Sequence, residues 1–262
     1  MIVEQMAGEG LLLGIDLDSE ALARAKKRLG DTTVSLHLCE GNYSQMEEFA
    51  GNIGCTSFDG ILLDLGLSSN QLEDSGRGFS FQKDEPLSMS FRAVEHPHEF
   101  TARDIVNEWE ESTIADILFG YAEEKFARRI AKGIILARGM RPILTTQDLV
   151  EVVKRSTPFW YHHGRSHPAT RTFQALRIAV NDEMESLHKG LASALKLLSP
   201  QGRLAVITFH SIEDRIVKVA FVEAERSGRG TVITRKPIIP GEEELTQNPR
   251  ARSAKLRIFE AL

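Results

Sequence analysis

The chain opens on short apolar runs that end in an acid. Leu11-Leu-Leu-Gly-Ile-Asp16 and Phe58-Asp-Gly-Ile-Leu-Leu-Asp64 are almost continuously apolar, the pattern of parallel strands buried on both faces. Between them Val34, Leu36 and Leu38 alternate with polar residues and give a strand that runs out at Glu40-Gly41-Asn42-Tyr43. Ser19 is a fitting N-cap for a helix that turns Ala21, Leu22, Ala25 and Leu29 inward. Strands and helices in this alternation predict a doubly wound α/β sheet.

From about His96 to Thr170 the period becomes helical. Ile105, Trp109, Ile114, Ile117 and Leu118 form one apolar stripe, Phe126, Ile130, Ile134 and Ile135 another, and Pro142 and Pro158 punctuate the segment. A long helix over about Thr172–Leu198, a turn at Pro200-Gln-Gly202 and a strand over Arg203–Phe209 then restore the sheet pattern. The expected organisation is therefore a sheet domain over residues 1–95 and 171–262, interrupted by a helical insertion over 96–170. The sequence has no internal repeat and no low-complexity stretch.

Composition changes this picture little, but charge changes it more. The 262 residues are 42% hydrophobic and 26% charged, as in ordinary soluble proteins. No apolar run reaches membrane-spanning length, and the first residues lack the basic and apolar regions of a signal peptide. Cys39 and Cys55 are too few and too isolated for a disulfide framework, which fits a reducing, cytoplasmic setting. Net charge is −5, yet Tyr121–Arg177 holds 11 basic against 4 acidic residues and Arg226–Arg257 holds 8 against 3. The remainder, with 13 basic and 30 acidic residues, carries −17. Such asymmetry is the footprint expected of a polyanionic partner, although surplus Lys and Arg on exposed helices would give the same count.

Open α/β sheets bind ligands at the carboxyl ends of their strands. Asp16, Asp64 with the following Gly66-Leu-Ser68-Ser69, and His210-Ser211 fall there. Asp16 suits the acid that accepts hydrogen bonds from ribose hydroxyls, whereas Asp18 better suits a helix N-terminal acid. His210, Ser211 and Asp214 are too close in sequence to assemble a hydrolytic triad, and no G-x-S-x-G elbow accompanies them. His162, His163 and His167 lack Cys, Asp or Glu at ligand spacing, so no metal site is expected. Loop histidines among arginines meet phosphates or solvent instead, and His167 with Arg165 and Arg171 is the candidate for phosphate contact. Arg77-Gly-Phe79-Ser-Phe81 sets an arginine and two aromatics in a glycine loop, which suits stacking on an unpaired base or burial as loop anchors. The tail Asn248-Pro-Arg250-Ala-Arg252-Ser-Ala-Lys255-Leu-Arg257 reads as an edge strand with a basic face.

Taken together, Asp59–Gln71, Arg77–Phe81, His167–Arg177, Phe209–Arg215 and Asn248–Arg257 resemble the bacterial 16S ribosomal RNA cytosine-N4 methyltransferase family, called RsmH or MraW. The resemblance runs in order from about Ile2 to Glu260. It implies a class I S-adenosylmethionine-dependent methyltransferase fold, Rossmann-like, with an inserted helical domain for substrate recognition. It implies methyl transfer from S-adenosylmethionine to the exocyclic N4 of a decoding-centre cytosine in small-subunit ribosomal RNA or the assembled small subunit. By the family's pattern the cofactor contacts fall on Asp16, Tyr43, Asp64 and Gln71, with Asp16 at the ribose and Tyr43 along the adenine. Cytosine N4 is a poor nucleophile because its lone pair is delocalised. Asp64, or a carbonyl in Leu65-Gly66-Leu67, is the candidate acceptor that would localise it.

The chain also departs from the family. The family's first strand and glycine-rich turn are missing, and Gly8-Glu-Gly10 does not replace them. Leu87-Ser-Met-Ser-Phe-Arg92 stands where the family has Leu-Asp-Met-Arg-Met-Asp, the Lys218–Ile238 segment is short, and Asn70 replaces a proline. These features lead to the expectation that Met1 is not the natural start and that a strand and glycine turn precede it. A non-catalytic ribosomal-RNA-binding assembly factor is the competing reading. A nucleotide-dependent oxidoreductase would need a G-x-G-x-x-G before Leu11, which the sequence does not contain.

Overall fold

The acid-terminated runs are strands in a computed structural model that describes residues 2–6, 9–30, 32–93, 99–164 and 166–262. The chain separates into two units, residues 1–66 with 184–262, and residues 67–183. The second is wider at both ends than the 96–170 segment marked by helical periodicity.

The first unit begins with α1 (Ile2–Gln5), β1 (Leu11–Asp16), α2 (Ser19–Leu29), β2 (Ser35–Glu40), α3 (Met46–Asn52) and β3 (Phe58–Asp64). The second holds α4 (Ser69–Glu73), α5 (Ala102–Glu108), α6 (Glu111–Ala122), α7 (Ala127–Arg138), α8 (Thr146–Ser156) and α9 (Thr170–Val180). The first unit resumes with α10 (Glu183–Leu197, its first residue lying in the second unit), β4 (Leu198–Thr208), α11 (Ser211–Arg226), β5 (Gly230–Val232), α12 (Glu242–Gln247) and β6 (Lys255–Ala261).

In the first unit β1 and β2 run parallel, from Leu11 opposite Ser35 to Asp16 opposite Glu40. A four-stranded sheet has the order β3-β4-β6-β5, with β3 and β4 parallel and β6 antiparallel to both its neighbours. Among the described residues β1 pairs only with β2 and β3 only with β4, so each has one unpaired edge. One apolar cluster nevertheless serves both sheets. Leu63, Leu204, Val206, Val217, Phe221 and Phe259 are buried in it, with Leu13 and Ile15 of β1 packed against it. Full burial stabilises each such side chain by about 1.5–3 kcal/mol.

The second unit has its own core, in which Leu87, Met89, Ile105, Ile114, Leu118, Ile130, Ile134, Leu149 and Leu176 are fully buried. Capping boxes at Thr101/Asp104 and Thr145/Asp148 start α5 and α8.

Four sequence expectations are corrected. Asp18, not Ser19, caps α2, with its side chain accepting from Glu20 N at 3.0 Å. The helix expected over 172–198 is two helices, because Asp182 adopts φ +47° and Asn181 ties its side chain to Met89 O at 2.8 Å and Phe91 N at 2.7 Å. Pro200–Gly202 lies within β4 as an irregularity, where the register jumps from Phe58↔Leu198 to Gly60↔Arg203. The tail is not an edge strand. Residues Pro249–Ser253 form a 3-10 turn, and β6 is interior, flanked by β4 and β5.

Candidate active site

In the first unit three expected side chains stand at or just beyond the carboxyl ends of parallel strands. Asp16 ends β1, is exposed, and accepts Asp18 N on Oδ1 at 2.8 Å. Tyr43 follows β2 in a 3-10 turn capped by Asn42, whose Oδ1 accepts Ser44 N at 2.9 Å and whose Nδ2 donates to Ser186 Oγ at 2.8 Å. The Tyr43 ring lies against Gly190 of α10, so closely that a Cβ there would come within 2.5 Å of the ring. Glycine at 190 is what lets the ring pack on that helix.

Asp64 ends β3 opposite Ile207 of β4. Leu65 N makes a last sheet bond to Ile207 O at 3.1 Å, and Gly66 then turns the chain with φ +87°, a conformation that favours glycine. Asp64 reaches solvent, but the surrounding protein desolvates it and raises its carboxyl above the ordinary aspartate value. A partly desolvated carboxylate is a strong hydrogen-bond acceptor, which is the chemistry an amine nucleophile requires.

Gln71 belongs to the second unit. It is buried and serves the α4 capping box, with Oε1 accepting Ser68 N at 3.0 Å and its own N donating to Ser68 Oγ at 3.1 Å. Its carbonyl is thus engaged in holding the helix start.

Phe209 and His210 follow β4. His210 caps α11, with Nδ1 accepting Glu213 N at 3.3 Å, while Glu213 Oε2 accepts Phe209 N at 2.8 Å. Asp214 binds Arg257 Nε at 2.6 Å and Lys255 Nζ at 3.1 Å. Burial alone would raise its carboxyl, but the bonds from Arg257 and Lys255 outweigh that and hold it below the usual range. These residues tie α11 to the interior strands β4 and β6 rather than form a hydrolytic triad. Breaking the Asp214–Arg257 pair would strand a buried charge, at a cost of about 3–5 kcal/mol.

The residues expected at RNA divide into two groups. Most of those in the second unit are committed to its fold. Arg77 Nη1 donates to Phe91 O at 2.7 Å and Ser90 O at 3.3 Å, and its guanidinium lies 5.7 Å from the Phe79 ring centroid. Phe79 is buried and stacks on Phe91, so it anchors the loop and is out of reach of a base. Phe81 stacks on His167 at 4.4 Å and meets Phe173 edge-on at 5.3 Å. Burial, with Lys154 and His162 nearby, pushes the His167 pKa down, which disfavours the charged form a phosphate would want. Arg171 Nη1 donates to Ala122 O at 3.2 Å and to Glu123 O. Arg165 lies outside the described residues. By contrast Arg250 and Arg252 in the first unit are exposed, and Arg252 lines a concavity of about 350 Å³ with His210, Ser211 and Lys255. Arg257, read from the sequence as part of a basic face, is instead buried against Asp214.

The MraW methylase family profile matches residues 1–262. The chain belongs to the MraW methylase family. It is therefore a methyltransferase with the α/β fold of class I S-adenosylmethionine-dependent enzymes. Among relatives in this family, the ribosomal RNA small subunit methyltransferase H of Brevibacillus brevis is 42% identical, aligned over all of this chain and 87% of its own length. The same-named proteins of Geobacter sp. strain M21 and Clostridioides difficile are 44% and 40% identical, over all of this chain and 88% of theirs.

Sequence reasoning missed two features of this MraW-family chain. One is the Asp214–Arg257 pair, 43 residues apart and invisible without the β6 register. The other is Phe159-Trp160, where three consecutive aromatics after Pro158 in a basic segment were the available signal.

Proposed function

We propose that this methyltransferase acts in the cytoplasm on small-subunit ribosomal RNA, methylating the exocyclic N4 of a decoding-centre cytosine with S-adenosylmethionine as donor. The observation that carries the reading is the placement of Asp16, Tyr43 and Asp64 at successive strand ends in a chain that matches its family throughout. The residues present suit a nucleoside cofactor, with an exposed carboxylate for ribose hydroxyls at Asp16 and an aromatic ring for the adenine at Tyr43. Bound S-adenosylmethionine supplies an electrophilic methyl group on a sulfonium. The protein's part is positioning and charge. Asp64 accepts an N–H of the cytosine amine, localises the nitrogen lone pair and disperses the positive charge that develops there. The basic Tyr121–Arg177 segment of the second unit recognises the substrate. Arg250 and Arg252 contact phosphate.

The test is to incubate the purified chain with methyl-labelled S-adenosylmethionine and small subunits that lack the modification, then locate label by mass spectrometry of RNA fragments. The expected result is one methyl on a single decoding-centre cytosine. Tight binding to subunits with no transfer would instead make the chain an RNA-binding assembly factor.

A further inference from the structure

Phe159 and Trp160 are 76% and 66% exposed, although the turn that carries them is firmly held. Pro158 leads into the 3-10 turn Phe159–His163, and Tyr161 N bonds Pro158 O at 2.9 Å. Tyr161 OH donates to Oε2 of the fully buried Glu124 at 2.7 Å, and the His162 ring nitrogen Nε2 lies 2.9 Å from the Thr157 hydroxyl. Pinning residues 161 and 162 inward leaves 159 and 160 outward. Trp160 meets Phe126 edge-to-face at 5.7 Å, Phe159 meets His163 at 4.5 Å, and the Arg129 guanidinium sits 5.7 Å from the Phe126 centroid. Exposed Lys125, Arg128, Arg129 and Lys132 surround the start of α7, and exposed Lys154 and Arg155 close α8 just before the turn. Of the exposed acids in these stretches, Glu151 is paired with Arg155.

Two large apolar rings left in water on a fixed turn are unfavourable unless something covers them. The cations around them favour a polyanion, and open aromatic faces interleaved with cations are what unpaired bases stack on. We propose that Phe159 and Trp160 form a stacking platform for single-stranded RNA, gripping unpaired nucleotides of the substrate. This rests on the reading of ribosomal RNA as substrate.

The experiment measures binding of a labelled single-stranded oligouridine, and of a double-stranded RNA of equal length, to the full chain. The wild type is compared with Phe159→Ala/Trp160→Ala and with the ring-preserving Phe159→Tyr/Trp160→Phe. The alanine pair should weaken single-strand binding about tenfold or more, as loss of base–aromatic stacking does, and leave duplex binding nearly unchanged. The ring-preserving pair should retain wild-type affinity even if the alanine pair folds poorly. On small subunits the alanine pair should raise KM with kcat unaltered at saturation. Equal oligouridine affinity in wild type and alanine pair, equal loss on single and double strands, or loss confined to anionic phospholipid vesicles would each overturn the platform. Failure of the wild type to methylate small subunits would sink the substrate reading alone, because oligouridine binding is scored without catalysis.

Discussion

Asp64 shows how much one position depends on its surroundings. Its place at the end of an apolar run is plain in the sequence, but its raised carboxyl comes from the protein packed around it. Because the folded pKa is raised, the folded chain holds that proton more tightly than the unfolded chain, whose aspartates titrate near ~3.9. The group therefore favours folding at low pH, and this contribution is lost as pH rises through the folded value. Ionised at pH 7, it is a net cost. Asp64→Asn should melt at higher temperature than wild type at pH 7, and the gain should fade as pH falls toward the ordinary aspartate range. Methyl transfer should meanwhile drop by about 10²–10³-fold, the usual loss for one positioned electrostatic group. Wild-type turnover in this variant would remove Asp64 from catalysis.

At the scale of elements, periodicity located helices and strands but not what joins or spaces them. Gly190 is an instance. In the sequence it is only a helix glycine, whose replacement by alanine ordinarily adds up to about 1 kcal/mol of helix stability. In the structure its missing Cβ makes room for the Tyr43 ring, which follows a strand far away in the chain. Gly190→Ala should displace that ring and weaken S-adenosylmethionine binding about fivefold, the loss of ~1 kcal/mol of aromatic contact, with the helical circular dichroism signal unchanged. Calorimetry that finds the same affinity would separate Tyr43 from the cofactor. The break between α9 and α10 has the same origin. Asn181 and Asp182 carry no proline or glycine signal, and the turn is held by the bonds from Asn181 to the Met89–Phe91 segment and by the Arg177–Glu183 ion pair across the break.

For the whole molecule, two surface features matter. β1 and β3 each have an unpaired edge among the described residues, and Leu62 of β3 is 49% exposed. Unpaired edges beside exposed apolar side chains favour association between copies. The chain should self-associate with rising concentration, and Leu62→Lys should shift its sedimentation profile toward the monomer. A wild type that stays monomeric at every concentration would contradict this. The second feature is charge, which the chain concentrates in two segments despite a net −5. The fold spends part of that surplus internally, on Arg171 and Arg257, and leaves part of it outside, on Arg128, Arg129 and Lys154.

What the sequence determined by itself is the local pattern: apolar runs closed by Asp16 and Asp64, the helical period after about residue 100, and the ordered stretches that resemble one family. Hydrophobic periodicity and strand-end acids are properties of neighbours in the chain, so they survive without a fold. Tertiary structure decided which polar and aromatic side chains remain available. Phe79 and Phe159 look alike in sequence, each an aromatic in a loop within a few residues of arginine or histidine. One is buried against Phe91, while the other is held in water by the anchoring of Tyr161 and His162. Arg252 and Arg257 lie in one basic stretch, yet the register of β6 against β4 sends Arg257 to Asp214 and leaves Arg252 at the surface. Burial and pairing depend on contacts between residues far apart in the chain, and local pattern does not encode those contacts.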